Sequence, residues 1–264
     1  MTDEALQPMP QSAGDLGTAS AQARVQFVGT GPGDPNLLTL GAVDAINRAQ
    51  VIVISCPGHR ILLGNDFLEL HSDVRIVSAG SPDEEAAVLP SQPGTGAPTP
   101  VKVAEHCADV TATIIDAASQ GLEVVRLVSG DPFLDGDIGA EAAAVARADH
   151  DVDVVPGVTG MTAVPEYAGL ALHGHDVQLI GDAACQRDIA GRGSTWSANG
   201  LVVVNTSAGR IKEVVKHAMA SGRSEDEPAA LICHGATTQQ TTHTTTLGEL
   251  PQTAKSARLT DAEL

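Results

Sequence analysis

The sequence predicts an α/β protein with a mostly parallel sheet in a first domain and a mixed sheet in a second, smaller one. Three observations carry this. Short apolar runs rich in β-branched residues alternate with segments of helical spacing from Val25 to Ala168. Several runs end in loops of Gly, Pro, Ser and Asp, the strand ends at which open α/β sheets place ligands. After His173-Gly174-His175 the pattern changes, which sets the expected organisation: a tail over 1–22, a first domain over 23–172 and a second over 173–264.

Residues 1–22 contain Gln, Ser, Gly, Pro and Ala without periodicity and read as a mobile tail. Val25–Val28 is a strand that runs into Gly29-Thr30-Gly31-Pro32-Gly33-Asp34-Pro35. Leu37–Ala49 then has helical spacing at Leu38, Val43 and Ile46. The Gly-x-Gly-x-Gly run does not read as a dinucleotide loop. Its prolines remove backbone donors that a pyrophosphate uses. The next strand, Val51–Ile54, ends at Ser55 instead of an acid that would hold a ribose, and no Gly-Lys-Ser/Thr follows.

Cys56-Pro57-Gly58-His59-Arg60 is expected as a loop at the carboxyl end of that second strand, with two potentially cationic groups at the ligand edge. Val74–Val77 reads as a third strand. Residues 81–100, rich in Pro, Gly, Ser and Thr, are expected as a long loop, either a lid or a tolerated insertion. The spacing of Val103, Val110 and Ile114 predicts a helix over Val101–Gln120, stopped by Gly121. Val124–Val128 reads as a buried strand. It breaks at Ser129-Gly130-Asp131-Pro132, where Gly130 lets the backbone turn or a ligand come close. A helix over Gly139–Ala148, a strand over Val152–Val155 broken by Pro156-Gly157, and a short helix over Thr162–Ala168 follow. In the second domain Val177–Ile180, Leu201–Val204 and Ala229–Cys233 read as strands and Ala208–Ala220 as a helix. Thr237–Leu247, Thr-rich and alternating, suits an edge strand or hairpin.

Composition excludes several function classes. With 33 acidic against 15 basic residues the formal charge is −18, which disfavours nucleic-acid and anionic-membrane surfaces. Aromatic residues are 2% of the chain, too few for base-stacking platforms. An anionic substrate would need a local basic patch, for which His59 and Arg60 are the candidates, with Arg24, His173 and Arg187 behind them. The four cysteines, Cys56, Cys107, Cys185 and Cys233, form no Cys-x-x-Cys pair, and His173 and His175 lack a third ligand nearby, so no metal is expected. No secretory signal or membrane span is read, so the cytoplasm is the expected compartment.

Four motifs in order resemble the tetrapyrrole methylase family, in particular its uroporphyrinogen-III C-methyltransferase branch. They are Val28-Gly29 with Gly31-Pro32-Gly33-Asp34-Pro35; Val124-Val125-Arg126-Leu127 with Gly130-Asp131-Pro132-Phe133; Val154-Val155-Pro156-Gly157-Val158-Thr159 with Tyr167-Ala168-Gly169-Leu170; and Gly235-Ala236-Thr237-Thr238-Gln239-Gln240 with Thr246-Leu247. The chain is most similar to actinobacterial proteins in which such a domain precedes a uroporphyrinogen-III synthase domain. It stops where the family adds a last strand, so a fragment of a longer fusion is expected.

The resemblance implies two α/β domains with S-adenosylmethionine in a cleft between them, S-adenosylhomocysteine as by-product, and a homodimer. The family's donor contacts would fall on Pro32, Ser129, Gly130, Asp131, Leu134, Thr159, Gly160, Asn205, Gly235 and Ala236. The tetrapyrrole's carboxylates would fall to His59 and Arg60. There are departures. A glycine pair is Ser129-Gly130, a methionine that packs on the ligand aligns with Asn205, and the Tyr-Asp carrying the family's proposed base is Ile54-Ser55. A Gly-Lys is replaced by Ala79-Gly80. Donor residues are mostly kept while the acid–base pair is not, so no catalytic residue is assigned. The resemblance implies methylation of uroporphyrinogen III to precorrin-2. The alternatives are a degenerate methylase that only binds, or a methylase of a later corrin intermediate.

Overall fold

The computed structural model describes residues 23–79, 101–136 and 138–257. The tail expected over 1–22 and the loop expected over 81–100 lie outside them. The described chain forms two compact units that part between Val158 and Thr159, whereas the sequence sets the boundary at 172/173.

The first unit is built on six parallel strands: β1 (Arg24–Gly29), β2 (Val51–Ile54), β3 (Arg75–Ser78), β4 (Glu105–His106), β5 (Val124–Val128) and β6 (Asp151–Val155), in the order β4-β3-β2-β5-β1-β6. β5 is inserted between β2 and β1, pairing Val124 with both Val51 and Val25. Alternation along the strands divides the core into two layers. Val25, Phe27, Val51, Val53, Val77, Val124 and Val128 pack against Ile114, Ala117 and Ala118 of α3 (Val110–Ser119) and Ala142 and Val145 of α4 (Gly139–Arg147). Val28, Ile52, Ile54, Ile76, Val125 and Leu127 pack on the other side against Ala42, Ala45 and Ile46 of α1 (Leu40–Arg48) and Leu63 of α2 (Pro57–Leu63). Burial on both faces is why these strands read as near-continuous apolar runs. Arg126 interrupts the run and is buried. Its Nε donates to Glu141 Oε2 at 3.1 Å and its Nη1 to the Leu127 carbonyl at 2.7 Å.

The second unit holds α5 (Gly160–Tyr167), a parallel pair β7 (Val177–Ile180) and β8 (Leu201–Val204), and an antiparallel pair β9 (Pro228–Cys233) and β10 (Thr241–Thr246). Both strand directions expected of this domain are present, as two separate ladders. Helices α6 (Asp182–Ile189), α7 (Ile211–Ala220) and α8 (Leu250–Ser256) contribute Cys185, Ile211, Val214, Val215, Ala218 and Ala254 to a core with Ile180, Trp196, Leu231 and Cys233. Trp196 is buried and its Nε1 donates to Asp188 Oδ2 at 2.8 Å.

Several sequence expectations are corrected. α1 starts at Leu40, not Leu37, because the Thr39 hydroxyl caps it by accepting from the Ala42 N–H; a 3₁₀ turn over Pro35–Leu37 precedes it. The helix expected from Val101 starts at Val110, capped by Asp109, and the residues before it supply β4 at the sheet edge. The segment 56–60, expected as a loop, opens α2, with Pro57 in the first turn where its missing N–H costs nothing. α6 and α8 have no counterpart in the sequence reading. Among the described residues no helix is long and apolar enough to cross a membrane, and no group of three or more His, Cys, Asp or Glu could hold a metal ion. His173 and His175 are both exposed.

Candidate functional site

At the carboxyl edge of the first sheet the loops after β1 and β5 are joined backbone to backbone. Gly130 N–H donates to the Gly31 carbonyl at 2.8 Å, and Gly31 N–H donates back to Gly130 at 3.3 Å. Thr30 N–H donates to the Val128 carbonyl at 2.8 Å. Gly130 takes φ of +68°, and a Cβ there would meet the Asp135 carboxylate at 2.1 Å. Gly157 brings the β6 loop in: a Cβ on it would lie 2.1 Å from the Gly130 oxygen and 2.8 Å from Gly29 Cα. The strand ends approach this closely only because all three positions lack side chains.

Asp131 fixes the loop after β5. Its Oδ1 accepts from the Phe133 and Leu134 amides, both at 3.0 Å, its Oδ2 accepts from Gly157 N–H at 3.4 Å, and its own N–H donates to Asp135 Oδ2 at 2.7 Å. Gly130 and Asp131 thus hold the ledge together, while Ser129 and Leu134 stand exposed on it, with Phe133 beside them. Pro32 follows the Gly31 pairing and is half-buried. Ser55 is exposed at the end of β2 and carries no carboxylate.

α2 ties this ledge to β2. His59 is buried, and its Nε2 lies 3.3 Å from both Thr30 Oγ1 and Ser129 Oγ. The Thr30 hydroxyl donates its one proton to the Val128 carbonyl at 3.1 Å. It can only accept from the ring, so Nε2 carries a hydrogen. His59 Nδ1 is buried and has no hydrogen-bond partner among the described residues. Cys56 stands at the N-terminal boundary of α2 without capping it through its side chain, one turn ahead of His59, and its Sγ lies 3.6 Å from Ser129 Oγ. Burial pushes the Cys56 thiol up. The nearby His59 imidazole, with the Ser129 hydroxyl and the His59 amide, outweighs that and holds it at about 6. Arg60 is half-buried, its Nε donating to the Val101 carbonyl at 3.0 Å. Of the expected substrate groups, His59 therefore lies behind the surface and Arg60 partly within it.

In the second unit, Thr159 caps α5 by accepting from Met161 N–H at 3.1 Å, and Gly160 is that helix's first residue. The turn after β9 approaches the same helix: a Cβ on Gly235 would lie 2.5 Å from both Val164 methyls. His234 and Ala236 flank Gly235 with φ of +50° and +54°, a left-handed conformation unfavourable for residues with a Cβ. Ala236 N–H is held by Gln240 Oε1 at 2.8 Å. Asn205 stands exposed at the end of β8, its N–H donating to the Ile180 carbonyl at 2.9 Å.

The structure thus gathers Pro32, Ser129, Gly130, Asp131 and Leu134 on one ledge; in the second unit Thr159 and Gly160 stand at the start of α5 and Gly235 packs on Val164 in its middle. Sequence reasoning missed Thr30, Cys56 and Gly157. Pro57 at the first position of a helix was the available signal for Cys56, because it puts Cys56 and His59 one turn apart.

The sequence matches the family described as Tetrapyrrole (Corrin/Porphyrin) Methylases over residues 24–251. It is 32% identical over 243 residues to a uroporphyrinogen-III C-methyltransferase of Sinorhizobium sp, covering 87% of this chain and 77% of the relative. It is 32% identical over 248 residues to siroheme synthase 1 of Pectobacterium atrosepticum, covering 90% of this chain and 46% of that one. The chain spans about half the length of the siroheme synthases it matches. Among solved structures, a cobalt precorrin-4 methyltransferase aligns with a TM-score of 0.68 at 20% identity over 94% of this chain and 96% of its own. A uroporphyrin-III C-methyltransferase of Thermus thermophilus, complexed with S-adenyl homocysteine, aligns at 0.54 and 24% over 88% and 87%. At these identities the structural likeness speaks for the fold.

Proposed function

The chain belongs to the tetrapyrrole (corrin/porphyrin) methylases, a family of S-adenosylmethionine-dependent methyltransferases, and on that footing we propose that it methylates uroporphyrinogen III, giving precorrin-2 on the way to sirohaem or cobalamin. The observation that carries this is the similarity to a uroporphyrinogen-III C-methyltransferase across most of both chains. The ledge supports donor binding. The exposed Leu134 side chain offers an apolar contact for adenine, and the Ser129 hydroxyl a polar one for the methionyl end. The glycines at 130 and 157 let the strand-end backbones that carry these side chains pack closely. Pro32 is proposed as a further donor contact on the ledge, and Thr159, Gly160, Asn205, Gly235 and Ala236, which the family resemblance names, are proposed likewise.

Bound S-adenosylmethionine would supply an electrophilic methyl carbon. The chain's own residues hold donor and acceptor in line, which is where most of the acceleration in such a transfer arises. Arg60 is proposed to meet a carboxylate of the acceptor, against the field of a chain with net charge −18. A homodimer, and a place beside a uroporphyrinogen-III synthase domain in a longer parent, are proposed with it.

One observation favours a second possibility, a methylase-fold module that binds without turnover: Ser55 offers no carboxylate at the end of β2. Calorimetry separates the two from a chain that does neither. The enzyme is expected to bind S-adenosylhomocysteine and uroporphyrinogen III together and to turn over. A module binds the donor and transfers nothing. Absence of donor binding at millimolar concentration would overturn both.

A further inference from the structure

The described residues place one reactive pair where the carboxylate is absent. Cys56 is half-buried, immediately after exposed Ser55, and its Sγ touches Ser129 Oγ on the donor ledge. His59 is buried with Nε2–H committed to Thr30 and Ser129, which leaves Nδ1 unpartnered and free to take a proton. Neither group has a part in the donor contacts, and a buried imidazole nitrogen without a partner calls for an explanation.

We propose that Cys56, its thiolate held by the Ser129 hydroxyl with His59 Nε2–H behind it, is the base that deprotonates the methylated tetrapyrrole in this protein. The proposal rests on the uroporphyrinogen methylation proposed above. The chemistry requires such a group. A ring carbon of the acceptor attacks the methyl carbon, a C–C bond forms, and the sulfonium C–S bond breaks with its electron pair on sulfur. The acceptor is then a cation. A neighbouring C–H gives its proton to the Cys56 thiolate, the C–H pair closes a C=C bond, and the ring returns to neutrality. The thiol then loses that proton to water, ready for the second methyl group. Cys56 is the catalytic group here. His59 is a positioning residue that acts through it, as does Ser129, whose hydroxyl proton is free to point at sulfur.

Among the groups around Cys56, His59 on its own helix is the ionisable one that acts on it. Ser129 from the β5 loop and Thr30 from the β1 loop carry no charge, and Asp131 is committed to the Phe133, Leu134 and Gly157 amides. Activity should therefore rise with pH as the thiol ionises, at about 6.

The test uses the full chain. Alkylation of Cys56 by iodoacetamide, followed on its peptide by mass spectrometry across pH, should show a midpoint at about 6 in the wild type. In His59→Gln the midpoint should move up towards that of an ordinary thiol. With S-adenosylmethionine and uroporphyrinogen III, Cys56→Ser should lower kcat by about 10²–10⁴-fold with donor affinity unchanged. Cys56→Asp should restore part of that loss with a pH profile moved to lower pH. Wild-type activity that Cys56→Ser matches, with the same pH profile, overturns the base role alone. An ordinary alkylation midpoint in the wild type overturns the pairing with His59. A wild type that alkylates at the expected pH but methylates nothing overturns the substrate assignment and the base role with it.

Discussion

Replacing Gly157 with alanine tests whether the backbone ledge is as tight as the geometry demands. The added methyl would sit 2.1 Å from the Gly130 oxygen, 2.8 Å from Gly29 Cα and 2.9 Å from Gly29 C. Non-bonded carbons separate at about 3.5–4.0 Å, so the loops must part by about 1 Å. All three clashing atoms belong to backbone, which cannot rotate away. Overpacking of this kind costs about 1–3 kcal/mol. Opening the ledge also stretches the paired bonds between Gly31 and Gly130 and the Gly157 N–H bond to Asp131, each worth about 1 kcal/mol net. A loss of about 3 kcal/mol or more is expected. Gly157 does not have a positive φ, so the effect is clash without backbone strain. Gly121→Ala is the converse control: φ is +80° with open space around the new methyl, and about 1–2 kcal/mol of left-handed strain is expected. Urea unfolding followed by circular dichroism, with hydrogen exchange on β1, β5 and β6, reads both. The single tryptophan, Trp196, reports the second unit separately. A Gly157→Ala protein within about 0.5 kcal/mol of wild type, or less destabilised than Gly121→Ala, would refute the ledge.

Other outcomes are as definite. Glu141→Ala leaves the buried Arg126 guanidinium without its carboxylate and should cost about 3–5 kcal/mol in denaturant unfolding; a change near zero would mean Arg126 reaches water. The Cys56 thiol is held at about 6 in the fold, below its usual 9.0, so the thiolate's contribution to stability is fully present above the unfolded value and lost as pH falls through the folded one. The stability advantage of wild type over Cys56→Ser should grow between those two pH values, by up to about 1.4 kcal/mol per pH unit; a flat difference would contradict the lowered thiol. Arg60→Ala should raise the Kd for uroporphyrinogen III while leaving S-adenosylhomocysteine binding alone. Equal acceptor affinity at low and high salt would remove Arg60 from the site. Light scattering at micromolar concentration should give a dimer mass, and a monomer mass would count against the homodimer.

The fold was legible where local chemistry alone decides it. Val51–Ile54, Val177–Ile180 and Leu201–Val204 are strands with the bounds their β-branched runs suggest. Helix starts were misplaced where a side-chain cap, Thr39 or Asp109, overrules the apolar spacing. α2 was hidden by its length of seven residues and its proline, which punctuates a loop as readily as it opens a helix. The site was legible as separate motifs but not as a constellation. Cys56 and Ser129 lie 73 positions apart, and His59 and Ser129 lie 70 apart. What joins them is β5 lying between β2 and β1, and no local pattern announces strand order. The same insertion makes Gly130 and Asp131 structural members of the ledge, which their resemblance to donor contacts did not suggest.

Incubating the protein with isotope-labelled S-adenosylmethionine and uroporphyrinogen III under reducing, anaerobic conditions, and weighing the tetrapyrrole by mass spectrometry, bears most directly on the function. Successive gain of two labelled methyl groups, with S-adenosylhomocysteine released in step, is the expected result. An unmethylated tetrapyrrole, from protein that calorimetry shows binding S-adenosylhomocysteine, would contradict it.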